Sequence, residues 1–471
     1  MIMKIKTKLS SYLQAILFLM VALFLPTNAF AWPPFTVDGI IYDLNDDDYF
    51  GLDLPGVRVI GCTLSGNVVI PSTVTHKGYT YTVTAIYEIL DANPNITGIS
   101  IPNTVIAMGH FYEWNNLSHI TVASDNPRYD SRDNCNAVIE TASNTLINGC
   151  KSTVIPNSVT TIGTSAFDNS SGLTEITIPN SVTTICEAAF ANCPDLVSVD
   201  IPSSVTEIGA DAFLNSKITE DQHGIVYVGN WVVGYKNDLP GDCIIKNGTI
   251  GIASNTFNNR YYADSSTEPP FTNLIIPNSV LYIGDDVFYY TVFGFGDNPP
   301  TLSPIKTIVI GESVKTIGSH SFYTGSQSRY NDHGTLIDGD VDLQSITCLA
   351  KVPPQTSDAF ASHILDNPIY GWYETDYVIY HRVPLYVPME SVEAYKSDEE
   401  WGRFQTIVGI EVRDPSDVNG DGEVTIADVN CIVHEILYLY ITPNNLEYDV
   451  NGDGEVTIAD VNAVIDAIIG N

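Results

Sequence analysis

The sequence predicts a β-rich solenoid with short helical turns, followed by a small all-α module built on two acidic loops. Three observations carry that prediction. A thirteen-residue sentence recurs every 23 residues in the first half of the chain. A 12-residue acidic string near the end is repeated without a change. The chain has only 8 cysteines in 471 residues, too few to staple a set of disulfide miniproteins, so an apolar core must hold it together.

The recurring sentence occupies Ile155–Phe167, Ile178–Phe190 and Ile201–Phe213 and reads roughly I-P-x-S-V-T-x-I-(G/C)-x-x-A-F. A unit this short cannot bury its own apolar face, and stacked neighbours must supply the core. In Leu173–Ile178, strand alternation puts Ile176 and Ile178 on one side and Glu175 and Thr177 on the other. Pro179 removes a backbone donor and marks a corner. Val182 and Ile185 then return to the interior on a second extended stretch. Gly163 and Gly209 lead into Ala166-Phe167 and Ala212-Phe213, which read as a short helical turn. Cys186 stands at the glycine position of the middle copy, so an ordinary φ is expected there. Phe167, Phe190 and Phe213 are expected to form one column along the solenoid axis.

The chain opens with Lys4, Lys6 and Lys8, an apolar run from Ala15 to Leu25, then Pro26 and Ala29-Phe30-Ala31. This is the pattern of a secretory signal peptide, residues 1–31, cut after Ala31, and its core is short for a membrane span. Trp32, not cysteine, would be the first mature residue, which leaves no bacterial lipid anchor there. Loss of the leader takes the formal charge from −36 to −39. So acidic a surface repels nucleic acid and anionic membranes and is compatible with cationic partners and divalent ions.

Residues 32–96 are strand-rich and irregular and read as an N-terminal cap with a first atypical repeat. The solenoid is assigned to 97–411. An excursion carries Cys135 and Cys150, which a hairpin register would set opposite each other, so a disulfide is expected between them. Later units keep the 12-residue offset from Ile245 to Phe257, Ile276 to Phe288 and Ile310 to Phe322, but start 31 and 34 residues apart. The inserted stretches hold Tyr261-Tyr262, Tyr289–Phe293 and Tyr323–Tyr330, either a binding surface or local satellite cores. Tyr395, Trp401 and Phe404 are expected to cover the C-terminal end, and 412–416 reads as a linker.

Residues 417–428 and 449–460 both read D-V-N-G-D-G-E-V-T-I-A-D. Asp417, Asn419, Asp421, Glu423, Thr425 and Asp428 stand at positions 1, 3, 5, 7, 9 and 12 of a calcium loop. Asp449, Asn451, Asp453, Glu455, Thr457 and Asp460 repeat them. Position 7 serves through its carbonyl and position 9 through water, and Gly422 and Gly454 occupy the sharp turn at position 6. Hard oxygen ligands in a flexible loop favour Ca²⁺ over Mg²⁺, and two ions are expected. An amphipathic stretch follows each loop, giving a module of residues 417–471 that should depend on calcium to fold.

The repeat, with the closing Leu385-Tyr-Val-Pro388 and Trp401-x-x-Phe404, resembles the BspA-like leucine-rich repeat family of bacterial surface proteins over roughly residues 66–411. That resemblance implies a curved leucine-rich-repeat solenoid and adhesion to host or bacterial surface proteins. The tail resembles a type I dockerin, an EF-hand-like double calcium loop, which implies docking to a cohesin domain. Loop positions 10 and 11, often Ser-Thr in that family, are Ile426-Ala427 and Ile458-Ala459 here, which points away from a standard cellulosomal cohesin.

No nucleophile–base–orienter grouping can be assigned. His434-Glu435 begins an HExxH motif, but Tyr438 stands where histidine is required, and there is neither a G-x-S-x-G elbow nor a P-loop. The sequence therefore points to a secreted or cell-surface, non-enzymatic adhesion protein. Its ligand face is expected at Glu175, Thr177, Ser198 and Asp200. The alternative is a polysaccharide-binding or polysaccharide-degrading component of an extracellular cohesin–dockerin complex. Neither reading includes nucleic acid or stable membrane insertion.

Overall fold

The structure is a computed structural model. It describes residues 33–44, 56–87, 93–235, 242–257, 272–288, 305–322, 343–360, 380–412, 449–452 and 458–469, with 329–330, 336–337 and 429, less 112–113, 219, 222–223, 241, 357 and 381. The leader, the loop aromatics Tyr261-Tyr262 and Tyr289–Phe293, and the whole first acidic loop lie outside these residues. The chain forms two compact units, Met1–Ala142 and Ser143–Asn471.

In the first unit the pairing changes from antiparallel to parallel as irregular sequence gives way to repeats. Phe35–Val37, Ile40–Leu44 and Val57–Cys62 pair antiparallel, whereas Val57–Cys62 pairs parallel with Tyr79–Ile86, which in turn pairs parallel with Ala107–Met108. Asp38 and Gly39 take φ of 49° and 82° in the opening hairpin, as its tight turn requires. A second sheet stacks Gly66–Val69, Ile96–Ile101 and His119–Val122 in parallel.

In the second unit each coil has two strands and a turn. Thr161–Ile162, Thr184–Ile185 and Glu207–Ile208 stack in parallel register, which drops Ile162, Ile185 and Ile208 into the interior. Glu175–Thr177 and Ser198–Asp200 form the other strand position. The proline corners between them carry no ladder bond, as a residue without N–H dictates.

The stretch expected to be a helical turn keeps i→i−3 bonds, from the Ala166 and Asp168 N–H groups to the Gly163 and Ser165 carbonyls, and interleaves them with a third hydrogen-bonded ladder between coils. The N–H groups of Ser165, Phe167 and Asn169 donate to the carbonyls of Glu187, Ala189 and Ala191, and those of Ala188, Phe190 and Asn192 to Ala210, Ala212 and Leu214. Left-handed residues flank each phenylalanine: Ser165, Ala188 and Asp211 before it, and Asn169, Asn192 and Asn215 after it, with φ from 50° to 60°. Alternate N–H groups therefore point at the next coil rather than back along a helix. The Asn192 amide donates to Asp168 Oδ1 and the Asn215 amide to Asn192 Oδ1, both at 2.9 Å, which extends the ladder to side chains.

Gly163 and Gly209 do not use a positive φ, in keeping with the ordinary φ expected at Cys186. Gly209 is needed for space: a Cβ there would lie 2.5 Å from the Glu187 nitrogen and 2.8 Å from the Cys186 carbonyl carbon.

Phe167, Phe190 and Phe213 form the expected column, with ring centroids 4.9 and 5.3 Å apart and planes within 10° of parallel. Farther along, Tyr235, Phe257, Phe288, Phe322 and Phe360 stack at 4.9–5.7 Å. The column ends where Trp401 and Phe404 meet Phe360 edge-on, both at 5.2 Å, and Tyr395 meets Trp401 edge-on at 5.3 Å. All three closing residues are buried.

The expected Cys135–Cys150 disulfide is not formed. Both are buried thiols, and each is engaged locally: Cys135 Sγ donates to the Ala137 carbonyl at 3.8 Å, and Thr153 Oγ1 donates to Cys150 Sγ at 3.7 Å. Burial pushes Cys135 up to about 11 and raises Cys150 as well, so both behave as small core residues.

Asp211 occupies a left-handed turn position, and burial, with Glu187 nearby, raises its carboxyl above the ordinary range. A carboxyl whose folded pKa is raised favours folding in its protonated form, so its penalty appears as pH rises through the carboxylate range. Asp211→Asn removes that charge and keeps a residue suited to the turn, as Asn255 does in a later coil. The variant should melt higher than the parent at pH 7, and the gain should shrink on acidification toward pH 3. Thermal melts at the two pH values check this.

Candidate functional site

Two places carry the residues singled out by sequence: the outward strand face and the acidic tail. On the face, Glu175, Thr177, Ser198 and Asp200 are all exposed, while Ile176 and Val199 between them are buried. Parallel register sets Glu175 beside Ser198 and Thr177 beside Asp200. The two carboxylates thus sit on a diagonal and avoid facing each other directly. The result is a small polar patch on rigid backbone, able to accept hydrogen bonds or meet a cation.

The same outward position looks different in a second parallel sheet. There Asp242–Ile244, Asn273–Ile276, Thr307–Ile310, Ser345–Cys348, Leu385–Pro388 and Ile407–Ile410 lie side by side. Ile244, Ile275 and Val408 are exposed although apolar. Sequence reading missed this face, because Leu274-Ile275-Ile276 reads as one buried run.

In the tail, Asp449, Asn451 and Asp460 of the second loop are described, while Asp453, Glu455 and Thr457 lie outside the described residues. So do Asp417, Asn419, Asp421, Glu423, Thr425 and Asp428 of the first. Helix Ile458–Ile469 starts at the loop's end and buries Val461 and Val464. Asp460 is fully buried, and its Oδ1 accepts the Asn451 N–H at 3.1 Å, so position 12 reaches back to position 3 and closes the loop. The Asn451 carbonyl accepts from the Asn247 amide of a solenoid turn. Gly452, at position 4, has φ +70°, a left-handed turn that the sequence reading had placed only at position 6. A buried carboxylate in an otherwise oxygen-only donor set fits a hard divalent cation. Among the described residues, no cluster of three or more His, Cys, Asp and Glu side chains forms a metal site.

The comparisons agree with this anatomy. A model of the BspA type leucine rich repeat region matches residues 84–220, 143–261 and 255–331, together more than half of the chain. A dockerin type I model matches residues 415–469. No curated protein is significantly similar to the chain. Among solved structures, the chain is similar to a leucine rich cell surface protein from Faecalibacterium prausnitzii, at 19% identity, with 82% of this chain and 97% of that one covered and a TM-score of 0.26. It is also similar to a leucine-rich repeat protein from Bacteroides ovatus (18% identity, 80% and 100% covered, TM-score 0.28). A third is the pneumococcal vaccine antigen PcpA (16% identity, 81% and 99% covered, TM-score 0.28). Stacked coils with shared phenylalanine columns and a matched repeat model over most of the solenoid place this chain in the BspA type leucine-rich repeat family, with a dockerin type I domain at its C-terminal end.

Proposed function

We propose that the chain is an exported, non-enzymatic adhesion protein whose solenoid holds surface ligands and whose tail docks it into a larger assembly. The observation that carries this is the outward patch of Glu175, Thr177, Ser198 and Asp200, exposed on coils whose interior is fully used for stacking. Both matched families are interaction modules rather than catalytic ones. Export rests on the leader pattern of residues 1–31, and among the described residues no helix is long and apolar enough to cross a membrane. The full chain, immobilised, should retain host or bacterial surface proteins. A Glu175→Lys/Asp200→Lys pair should weaken that retention, and a parent chain retaining none would overturn the reading.

For the tail, Asp417, Asn419, Asp421, Glu423, Thr425 and Asp428 would hold one Ca²⁺. Asp449, Asn451, Asp453, Glu455, Thr457 and Asp460 would hold the other. The ions supply charge that lets converging carboxylates share one small fold, so metal binding is coupled to folding. Calorimetric titration should record two Ca²⁺ per chain, and chelation should remove helical signal from the tail while the solenoid stays folded. Uptake of no calcium would reject the site. The docking partner proposed is a cohesin-like domain whose contact tolerates Ile-Ala at loop positions 10 and 11.

A further inference from the structure

The outward face of the second parallel sheet carries two side-chain rows that run across its strands. Register places Ile244 beside Ile275, then Val309, Thr347, Tyr386 and Val408 in turn. Ile244 is 50% exposed, Ile275 38% and Val408 37%, values far from those of core residues. Two residues earlier on the same face, Asp242, Asn273, Thr307 and Ser345 form a polar row. In it the Asn273 amide donates to Asp242 Oδ1 at 2.6 Å, and Thr307 Oγ1 donates to Asn273 Oδ1 at 2.7 Å. Asp242 is the only charged residue in these six strands, in a chain with 56 Asp and Glu.

We propose that this face binds a neutral polysaccharide laid across the strands. The apolar faces of the sugar rings would rest on the Ile–Val–Tyr row, with their hydroxyls on the Asp–Asn–Thr–Ser row. Charge supports this first. A nearly uncharged strip on a protein of net charge −36 complements an uncharged ligand, and the rest of the surface repels an acidic polymer. The backbone supports it next. The four inner strands pair on both sides, so away from its edges at Asp242–Ile244 and Ile407–Ile410 the face cannot recognise an extended peptide through main-chain bonds as a sheet edge does. Period supports it last. Strands about 4.8 Å apart repeat one apolar and one polar contact, a spacing suited to a polymer of similar repeat. The proposal rests on the solenoid being the ligand-presenting part of the chain.

Calorimetry of the full chain with a panel of neutral hexasaccharides, led by cellohexaose and mannohexaose, and with hexagalacturonate, tests it. At least one neutral sugar should bind and hexagalacturonate should not. Ile275→Asp should weaken binding at least about tenfold with the melting temperature nearly unchanged, and Lys217→Gln, at an exposed bend outside both faces, should leave it intact. Silence across the neutral panel overturns the proposal, as does binding that Ile275→Asp leaves untouched. Sedimentation as a dimer that Ile275→Asp returns to monomer makes the face a self-contact and also overturns it. Capture of surface proteins without sugar binding rejects this site while leaving the adhesion reading standing.

Discussion

Replacing Phe190 with alanine should lower the unfolding free energy by about 3–5 kcal/mol, the usual cost of emptying a phenylalanine site in a packed core. Phe190 is completely buried between Phe167 and Phe213, so truncation removes two stacking faces at once. The backbone around it is tied by its own ladder, since the Phe190 N–H donates to the Ala212 carbonyl at 2.7 Å. That ladder limits how far the coil can collapse into the void, which places the cost toward the upper end. Thr177→Ala, on the exposed face of the strand Glu175–Thr177 that precedes Phe190, should change stability by no more than about 0.5 kcal/mol. Urea unfolding of the two variants beside the parent reads the difference directly.

Trp401→Ala should cost about as much, roughly 3–5 kcal/mol, but act in a different place. Trp401 is fully buried, meets Phe360 and Tyr395 edge-on, and its Nε1–H donates to the Pro354 carbonyl at 2.9 Å. Alanine would uncover the end of the column and leave that carbonyl without its donor. In a quasi-one-dimensional stack the damage should spread inward from the open end. Limited proteolysis should therefore cut first in the last coils, before any cut between 155 and 213. Trp401→Phe keeps a ring and loses the hydrogen bond, so it should recover all but about 1 kcal/mol.

Some of this was readable in the chain, and the physical reasons for the rest are specific. The phenylalanine columns were legible because a 12-residue offset from Ile to Phe holds from Ile155–Phe167 to Ile310–Phe322 despite the insertions between them. The C-terminal cover of Tyr395, Trp401 and Phe404 was legible because large aromatics after the last repeat have one place to go. The turn ladder was not. Ser165, Ala188 and Asp211 share a left-handed φ but no side-chain chemistry, so neighbouring coils impose the conformation. Its one sequence signal is the asparagine two residues after each phenylalanine, at 169, 192 and 215, since Asn tolerates that region best among residues with a side chain.

The disulfide expectation failed because opposed positions in a hairpin do not fix thiol direction, and each sulfur already has a local partner. The apolar strip was hidden for another reason. Ile275 and Ile276 are chemically identical, and only the sheet register shows that one faces water while the other is buried. In the tail the spacing sets Asp460 twelve positions along the acidic string, and the structure adds its bond to the Asn451 N–H. The left-handed Gly452 could not be read from spacing, since glycine stands at both position 4 and position 6.

The central claim is that neighbouring coils own one interior in common and leave their outer strand faces free. Hydrogen exchange on Phe190→Ala tests it most directly. Faster exchange should appear at the ladder amides of Phe167, Phe190 and Asn192 and fade within a few coils on either side. Acceleration confined to the altered coil, or spread evenly to the capped end at Trp401, would contradict it.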